Sequence, residues 1–396
     1  MTYVFIDRTN GWVYAPEAEL GRPKVGVSEI LLSRAEEYFS RFEQFSHIYS
    51  ILKNAIDKFD TPLSGLAVDL GSGFGNTVIP LLSAHPDLRV LATDISPDLL
   101  AICRREALKR GLADRCAVVA FNAERDYLKQ GIADAVFGCA ILHHMVDPMA
   151  HVRTAVNLLK PGGRAVFLVP FEAGNAILRI AYTSIHEEAQ RRGEDGAALQ
   201  FLRGIARDVE VRTHRFDPAP DFKWHQMDDK WMFTRSFFER AIGEAGASEV
   251  KIEPIQAPED LFTRQTRVVL ESYGNIPSTD LPDWAWKIVL RFDEEFFSDD
   301  QKRDLPVEAM GHNHQMRGAV DHGNRSKRRS AGFHYQPPID HEWEVCHPNC
   351  PDAHITRPHK ATGCLIVDFH ISVLRSKARP IVVGRRTHAY RRLRRR

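Results

Sequence analysis

Nowhere in this chain does an apolar run approach the roughly 20 residues that a membrane-spanning helix needs, so no spanning segment is expected. The start, Met-Thr-Tyr-Val-Phe-Ile-Asp-Arg, lacks a basic segment followed by a long apolar core, so no signal peptide is expected either. The six cysteines lack the spacing of a disulfide scaffold. Cys103, Cys116 and Cys139 fall in helix or strand patterns and read as buried thiols. Together these absences point to a cytoplasmic protein. Basic residues are scarce where a nucleic-acid groove would need them. From Gly311 onward there are 17 Lys and Arg against 6 Asp and Glu, which leaves 36 basic and 46 acidic residues before it. A body with that excess of carboxylates is a poor partner for a phosphate backbone. With 396 residues, 43% of them apolar and 27% charged, the chain has material for a large core.

One stretch organises the rest: Leu66-Ala-Val-Asp-Leu-Gly-Ser-Gly-Phe-Gly-Asn-Thr77. An apolar run with an acid near its end leads into three glycines at alternate positions, Gly71, Gly73 and Gly75, and then into a helical pattern. This is a strand, a glycine-rich turn and a helix N-terminus. Such a turn uses backbone angles that a Cβ disfavours and lets the main chain approach a ligand closely. On its own the motif also fits a tight turn with no ligand. A second apolar strand follows, Arg89 to Thr93, and ends on Asp94. That acid lies about twenty residues past the glycines, where a nucleoside ribose needs an acceptor for its hydroxyls.

Asp69-Leu-Gly-Ser-Gly-Phe-Gly resembles the first motif of class I S-adenosylmethionine-dependent methyltransferases. Ile141-Leu-His-His-Met-Val-Asp-Pro148 and Leu158-Leu-Lys-Pro-Gly-Gly-Arg-Ala-Val-Phe-Leu168 resemble the fourth-strand and fifth-strand signatures of the same family. The resemblance covers Leu66 to Pro170 well and extends weakly to about Pro254. It implies an α/β, Rossmann-like, seven-stranded, mostly parallel sheet with helices on both faces, a helical insertion after the fifth strand and a C-terminal extension. S-adenosylmethionine is then the cofactor. Asp69, Gly71, Gly73 and Gly75 would hold its methionine part and Asp94 its ribose. Ile95 would wall the adenine, Asn122 and Ala123 would meet it, and the strand end Gly138 to Ala140, with Cys139, would run beside the methionine part. The family commonly has Asp where Asn122 stands. The Asn amide oxygen can accept from adenine N6 and its NH₂ can donate to N1, and Glu124 can share the task. An NAD(P) oxidoreductase is disfavoured because its glycine spacing is absent.

The flanks carry less signal. Residues 1–60 read as an irregular segment, broken by Gly11, Pro16, Gly21, Pro23 and Gly26, and then one or two cover helices between Ile30 and Phe59. Ser28 is a candidate N-cap. Trp12 and Tyr14 either pack on the core or lie over the cofactor mouth. Residues 61–256 form the methyltransferase domain, and 171–230 within it are an insertion suited to acceptor recognition. There His214, Phe216, Trp224, His225 and Trp231 line an acceptor pocket or make the insertion's own small core. His186, Glu187 and Glu188 with His214 and His225 do not have the spacing of a known metal-ligand set, so no metal is expected. Residues 257–310 read as helical. Residues 311–396 hold 10 of the 18 histidines and read as a basic, irregular tail. They are a disordered arm for anionic partners, a loose zinc knot from His341, Cys346, Cys350 and His354, or the product of a misread frame.

The expected function is methyl transfer to a small-molecule or sugar-like acceptor. His143, His144 and Glu172 are the candidates for a general base, since an imidazole titrates near neutrality. A His at this place can equally serve only to shape the loop. The alternative is a catalytically silent cofactor-binding module whose basic tail binds nucleic acid or another anionic partner.

Overall fold

The computed structural model describes residues 2–8, 11–24, 27, 29–43, 45–59, 61–213, 228–254, 261–297 and 368–375. Ser28, the segment 214–227 with its His and aromatic residues, and the zinc-type set in the tail lie outside the described residues. In chain order the elements are β1 (Tyr3–Arg8), β2 (Gly11–Pro16), α1 (Glu29–Ser33), α2 (Ala35–Phe42), α3 (Phe45–Ile56), β3 (Gly65–Leu70), α4 (Val78–Ala84), β4 (Leu88–Asp94), α5 (Pro97–Lys109), β5 (Cys116–Ala120) and β6 (Ala133–Cys139). There follow α6 (Pro148–Leu158), β7 (Leu159–Pro170), α7 (Glu172–Arg192), α8 (Ala197–Thr213), α9 (Arg235–Ala245), β8 (Ala247–Pro254), α10 (Leu261–Val268), α11 (Asp283–Phe297) and β9 (Asp368–Arg375).

The strands form one sheet in the order β1-β2-β5-β4-β3-β6-β7-β9-β8. The seven strands from β5 to β8 are the expected sheet. The five from β5 to β7 run parallel, and β9 is antiparallel to both of its neighbours. The central strands are buried on both faces, as their continuous apolar runs require. One face packs on Leu52 of α3, Val78 and Leu81 of α4 and Leu100 of α5. The other packs on Val152 and Ala155 of α6 and Phe238 and Ile242 of α9. Local chemistry sets the helix starts. Ser96 caps α5 by accepting from the Leu99 N–H, with Pro97 in the first turn. Asp147 accepts from Ala150 ahead of Pro148 in the same way, and Thr234 caps α9, which ends on left-handed Gly246.

The structure corrects the reading of two segments. The first residues are not irregular: β1 and β2 form an antiparallel hairpin, and Tyr14 pairs with Val119 to join it to β5. Trp12 and Tyr14 pack there with Phe5, and the Arg104 guanidinium lies 3.6 Å from the Trp12 ring centre. The three rings form a partly exposed cluster on the hairpin, and neither Trp12 nor Tyr14 lines the cleft described below. The tail contributes β9, which pairs with β7 from Arg164↔Leu374 to Pro170↔Asp368 and with β8 from Ala247↔Arg375 to Pro254↔Phe369.

The chain divides into two compact units. The first comprises 1–175, 209–255 and 367–396 and holds the sheet. The second comprises 176–208 and 256–366, so helices of the insertion and of the extension share it. Within it, the Asp293 carboxylate on α11 accepts from the N–H groups of Phe262 (2.7 Å) and Thr263 (2.9 Å), capping α10. The Tyr182 hydroxyl lies 3.2 Å from that of Thr266.

β9 sits between two strands that otherwise present open edges to solvent. A chain cut after Ile366 is expected to be insoluble, or to melt at least about 10 °C lower by circular dichroism. Unchanged melting would show that the sheet closes without β9.

Candidate active site

The glycine turn follows β3, and its three glycines serve different ends. All have positive φ: +77° at Gly71, +52° at Gly73 and +101° at Gly75. A Cβ at Gly71 would stand 2.2 Å from the Ile141 side chain, and one at Gly75 would stand 2.9 Å from the Cys103 sulfur. A Cβ at Gly73 would meet no protein atom within 4 Å, because that residue faces a cleft. Hydrogen bonds to the end of β4 hold the turn. Gly71 and Ser72 N–H groups donate to the Thr93 carbonyl at 2.8 and 2.7 Å. The Ser72 hydroxyl accepts from the Thr93 N–H at 3.0 Å. The Gly73 N–H donates to Asp94 Oδ2 at 2.8 Å, and the Ser96 N–H donates to Asp94 Oδ1 at 2.8 Å.

The cleft opens at the carboxyl ends of β3 to β6, where ligands bind in open α/β sheets. It is partly open to solvent. Of the residues expected at a site, Gly71, Gly73, Asp94, Ile95, Asn122, Ala123 and His144 line it. Leu31 and Tyr38 from α1 and α2, together with Phe121, Glu124, Met145 and Asp228, complete most of the wall. Burial raises the Asp94 carboxyl above its ordinary range, opposed by the N–H groups of Ser96 and Gly73.

Asp69, Gly75, Cys139, His143 and Glu172 are not brought to the wall. Asp69 is 1% exposed, and among the described residues neither of its carboxylate oxygens has a hydrogen-bond partner. Burial pushes its carboxyl up to about 7, with Ser72 opposing and Asp94 adding to the rise. Burial likewise raises the Cys139 thiol. Glu172 opens α7 with its N–H on the Phe233 carbonyl. His143 is fully buried, and desolvation, reinforced by His144, Arg212 and Lys230, pulls its imidazole well below the ordinary range. It is therefore neutral.

The two histidines share a carboxylate that sequence reasoning did not single out. Asp229 Oδ1 lies 3.3 Å from His144 Nδ1 and 3.5 Å from His143 Nε2. His144 Nδ1 also lies 2.9 Å from the Asp228 carbonyl, so this nitrogen carries a proton. The loop is stapled by the residues that follow. Lys230 donates from its backbone to the His143 carbonyl and from Nζ to the His144 carbonyl, each at 2.8 Å. The Trp231 indole N–H donates to the Met145 carbonyl at 2.8 Å. Burial lowers the Lys230 ammonium to about 8, against Asp228, Asp229 and Glu124. His143, His144 and Asp229 are metal-ligand types with atoms within 4.8 Å of one another. Arg212, 3.9 Å from Asp229, and Lys230 already place two positive charges beside them, which opposes a further cation. The sequence signal for this staple is slight: a polar Asp228-Asp229-Lys230 run ahead of Trp231.

A family profile described as "Methyltransferase domain" matches residues 68–165, the span of β3 to β7 that builds the cleft. Over that span the chain carries a methyltransferase domain. Among curated relatives, the chain is 29% identical to a ubiquinone biosynthesis O-methyltransferase of Xylella fastidiosa, over 32% of this chain and 54% of the relative. It is 36% identical to a release factor glutamine methyltransferase of Chlorobaculum tepidum, over 22% of this chain and 26% of the relative. It thus spans at most about half the length of these relatives. Among solved structures it is similar to a phosphoethanolamine N-methyltransferase 2 of Haemonchus contortus bound to S-adenosylmethionine, with a TM-score of 0.40 and 13% identity, over 86% of this chain and 56% of that one.

The unpartnered Asp69 makes stability depend on pH. With a carboxyl near 7 when folded against 3.8 when free, the folded chain binds more protons than the unfolded one between those values. Stability therefore falls as pH rises from about 4 to about 7. Asp69→Asn removes that loss. Without cofactor, the variant should gain on the wild type in melting temperature by about 5 °C or more between pH 5 and pH 8. A constant difference across that range would mean that Asp69 is ionised in the fold.

Proposed function

We propose that this methyltransferase transfers the methyl group of S-adenosylmethionine to a small-molecule acceptor, with His144 as the group that takes the acceptor's proton. The observation that carries the reading is one cleft wall bearing the open backbone of Gly73, the Asp94 carboxylate, the Asn122 amide and the pocket-facing His144. Bound there, the cofactor supplies an electrophilic methyl group on a positive sulfur.

The chain's own residues bind and align. Asp94 uses one lone pair of each oxygen on backbone N–H groups and keeps the others for the ribose hydroxyls. Ile95, Leu99 and Phe121 offer an apolar wall to the adenine beside Asn122. Asp69 is sealed beneath the turn and does not line the cleft. Methyl transfer disperses charge, so the gain comes mainly from alignment and exclusion of water. His144 keeps its Nε2 lone pair for a proton, because its other nitrogen is committed to Asp228 and Asp229. His143, neutral and buried, supports the loop. Among the described residues no Lys or Arg lines the cleft, which fits a neutral or cationic small acceptor better than a polyanion. The reading of the chain as a silent module on a free basic tether loses ground, because residues 368–375 of that tail belong to the sheet.

Calorimetric titration with S-adenosylmethionine, S-adenosylhomocysteine and NAD⁺ tests the first half. Both sulfur nucleosides should bind at micromolar level, NAD⁺ should not, and Asp94→Ala should weaken binding more than about tenfold. No binding by a folded protein would overturn the reading. Once an acceptor with an ionisable proton is found, His144→Asn should lower kcat about 10²-fold or more with the KM for cofactor unchanged. An equal loss in both parameters would make His144 a wall residue only.

A further inference from the structure

Asn122 can read a purine only if its amide is held one way round. Adenine presents a donor at N6 and an acceptor at N1. Hypoxanthine presents an acceptor at O6 and a donor at N1–H. The same amide, turned over, reads one as well as the other. An unrestrained Asn at the wall would therefore discriminate poorly between them.

The structure removes that freedom through one neighbour. The Glu124 N–H donates to Asn122 Oδ1 at 2.9 Å, and Asn122 Nδ2 donates to Glu124 Oε2 at 3.2 Å. A turned amide would set Nδ2 against an N–H and Oδ1 against a carboxylate oxygen, two repulsive contacts in place of two bonds. The Glu124 carboxylate is itself fixed, because Oε1 accepts from the N–H groups of Val146 (2.6 Å) and Asp147 (2.8 Å). The loop is also held from the far side. The Asn122 N–H donates to Glu19 Oε2 at 3.3 Å, while Glu19 Oε1 accepts from Arg125 at 2.6 Å and from the Tyr127 hydroxyl at 2.5 Å. After these bonds Asn122 retains one lone pair on Oδ1 and one hydrogen on Nδ2. That pair is complementary to N6–H and N1 of adenine.

We infer that Glu124 is a positioning residue for cofactor specificity: by locking the Asn122 amide it makes the cleft select adenine over hypoxanthine nucleosides. Glu124 does this without needing to touch the base, since Oε1 is held by two N–H groups and Oε2 holds the Asn122 amide. The inference rests on the reading of the cleft as the S-adenosylmethionine site, and the two can fail separately.

The test is the ratio of dissociation constants for S-adenosylhomocysteine and S-inosylhomocysteine, measured by calorimetry. The wild type should prefer the adenosyl ligand by about tenfold to a hundredfold. Glu124→Gln keeps the volume, but the two backbone N–H groups hold its amide oxygen, so its NH₂ faces the NH₂ of Asn122. The lock is then frustrated. The preference should fall to within about threefold of unity, with the inosyl ligand gaining in absolute affinity, an effect that loss of structure cannot produce. Asn122→Ala gives a second check and should show the same collapse if Glu124→Gln proves unstable. A preference unchanged in either variant would overturn the inference. So would an equal loss of both ligands in Glu124→Gln. Failure of the wild type to bind S-adenosylhomocysteine would instead overturn the reading of the cleft.

Discussion

The hydrogen bond from the Gly73 N–H to Asp94 Oδ2 is the tie on which the site depends. With the bonds from Gly71 and Ser72 to the Thr93 carbonyl, it joins the turn after one central strand to the end of the next. The turn's positive φ angles would otherwise be a conformation among many open to glycine. The carboxylate selects one of them and is itself aimed at the cleft by doing so. Binding of backbone and presentation to ligand are thus one event. The tie requires β3 and β4 in parallel register from Gly65↔Leu88 to Leu70↔Thr93, and that register is set by two strands buried on both faces.

This explains why so much of the site could be read from the sequence. Gly71, Gly73, Asp94, Ile95, Asn122 and Ala123 stand at strand ends, and strand ends follow from short apolar runs and the residues that stop them. Side-chain depth does not follow from such patterns. Asp69 sits one residue before the end of β3 and points into the protein, whereas Asp94, the last residue of β4, reaches the wall. Of two adjacent histidines, one is sealed and one faces the cleft, and both are held in a loop stapled by Lys230 and Trp231, 86 residues past the positions they bond.

Three strands, β1, β2 and β9, are not legible in the sequence pattern, for two different reasons. In β1 and β2 the breaker residues outweighed the alternation around Asn10-Gly11, which is a hairpin signal. In β9 the alternation of Phe369, Ile371 and Val373 was hidden by the Arg- and His-rich text around it. Charge composition describes solvent exposure on average and says little about an eight-residue strand between two neighbours.

The position of β9 also orders events in time. Val250 pairs with Val373, more than a hundred residues further along. Synthesis runs from the N-terminus, so β3 to β8 and the cleft residues emerge before the strand that joins β7 to β8. During that interval both strands carry unpaired edges, and closing the gap demands a contact of high sequence separation, which slows folding. The nascent chain therefore passes through a state in which its cofactor site is fully synthesised while its sheet still invites pairing with another chain. Shielding by a chaperone, or a pause in translation before the final segment, would bear directly on how much active protein a cell obtains.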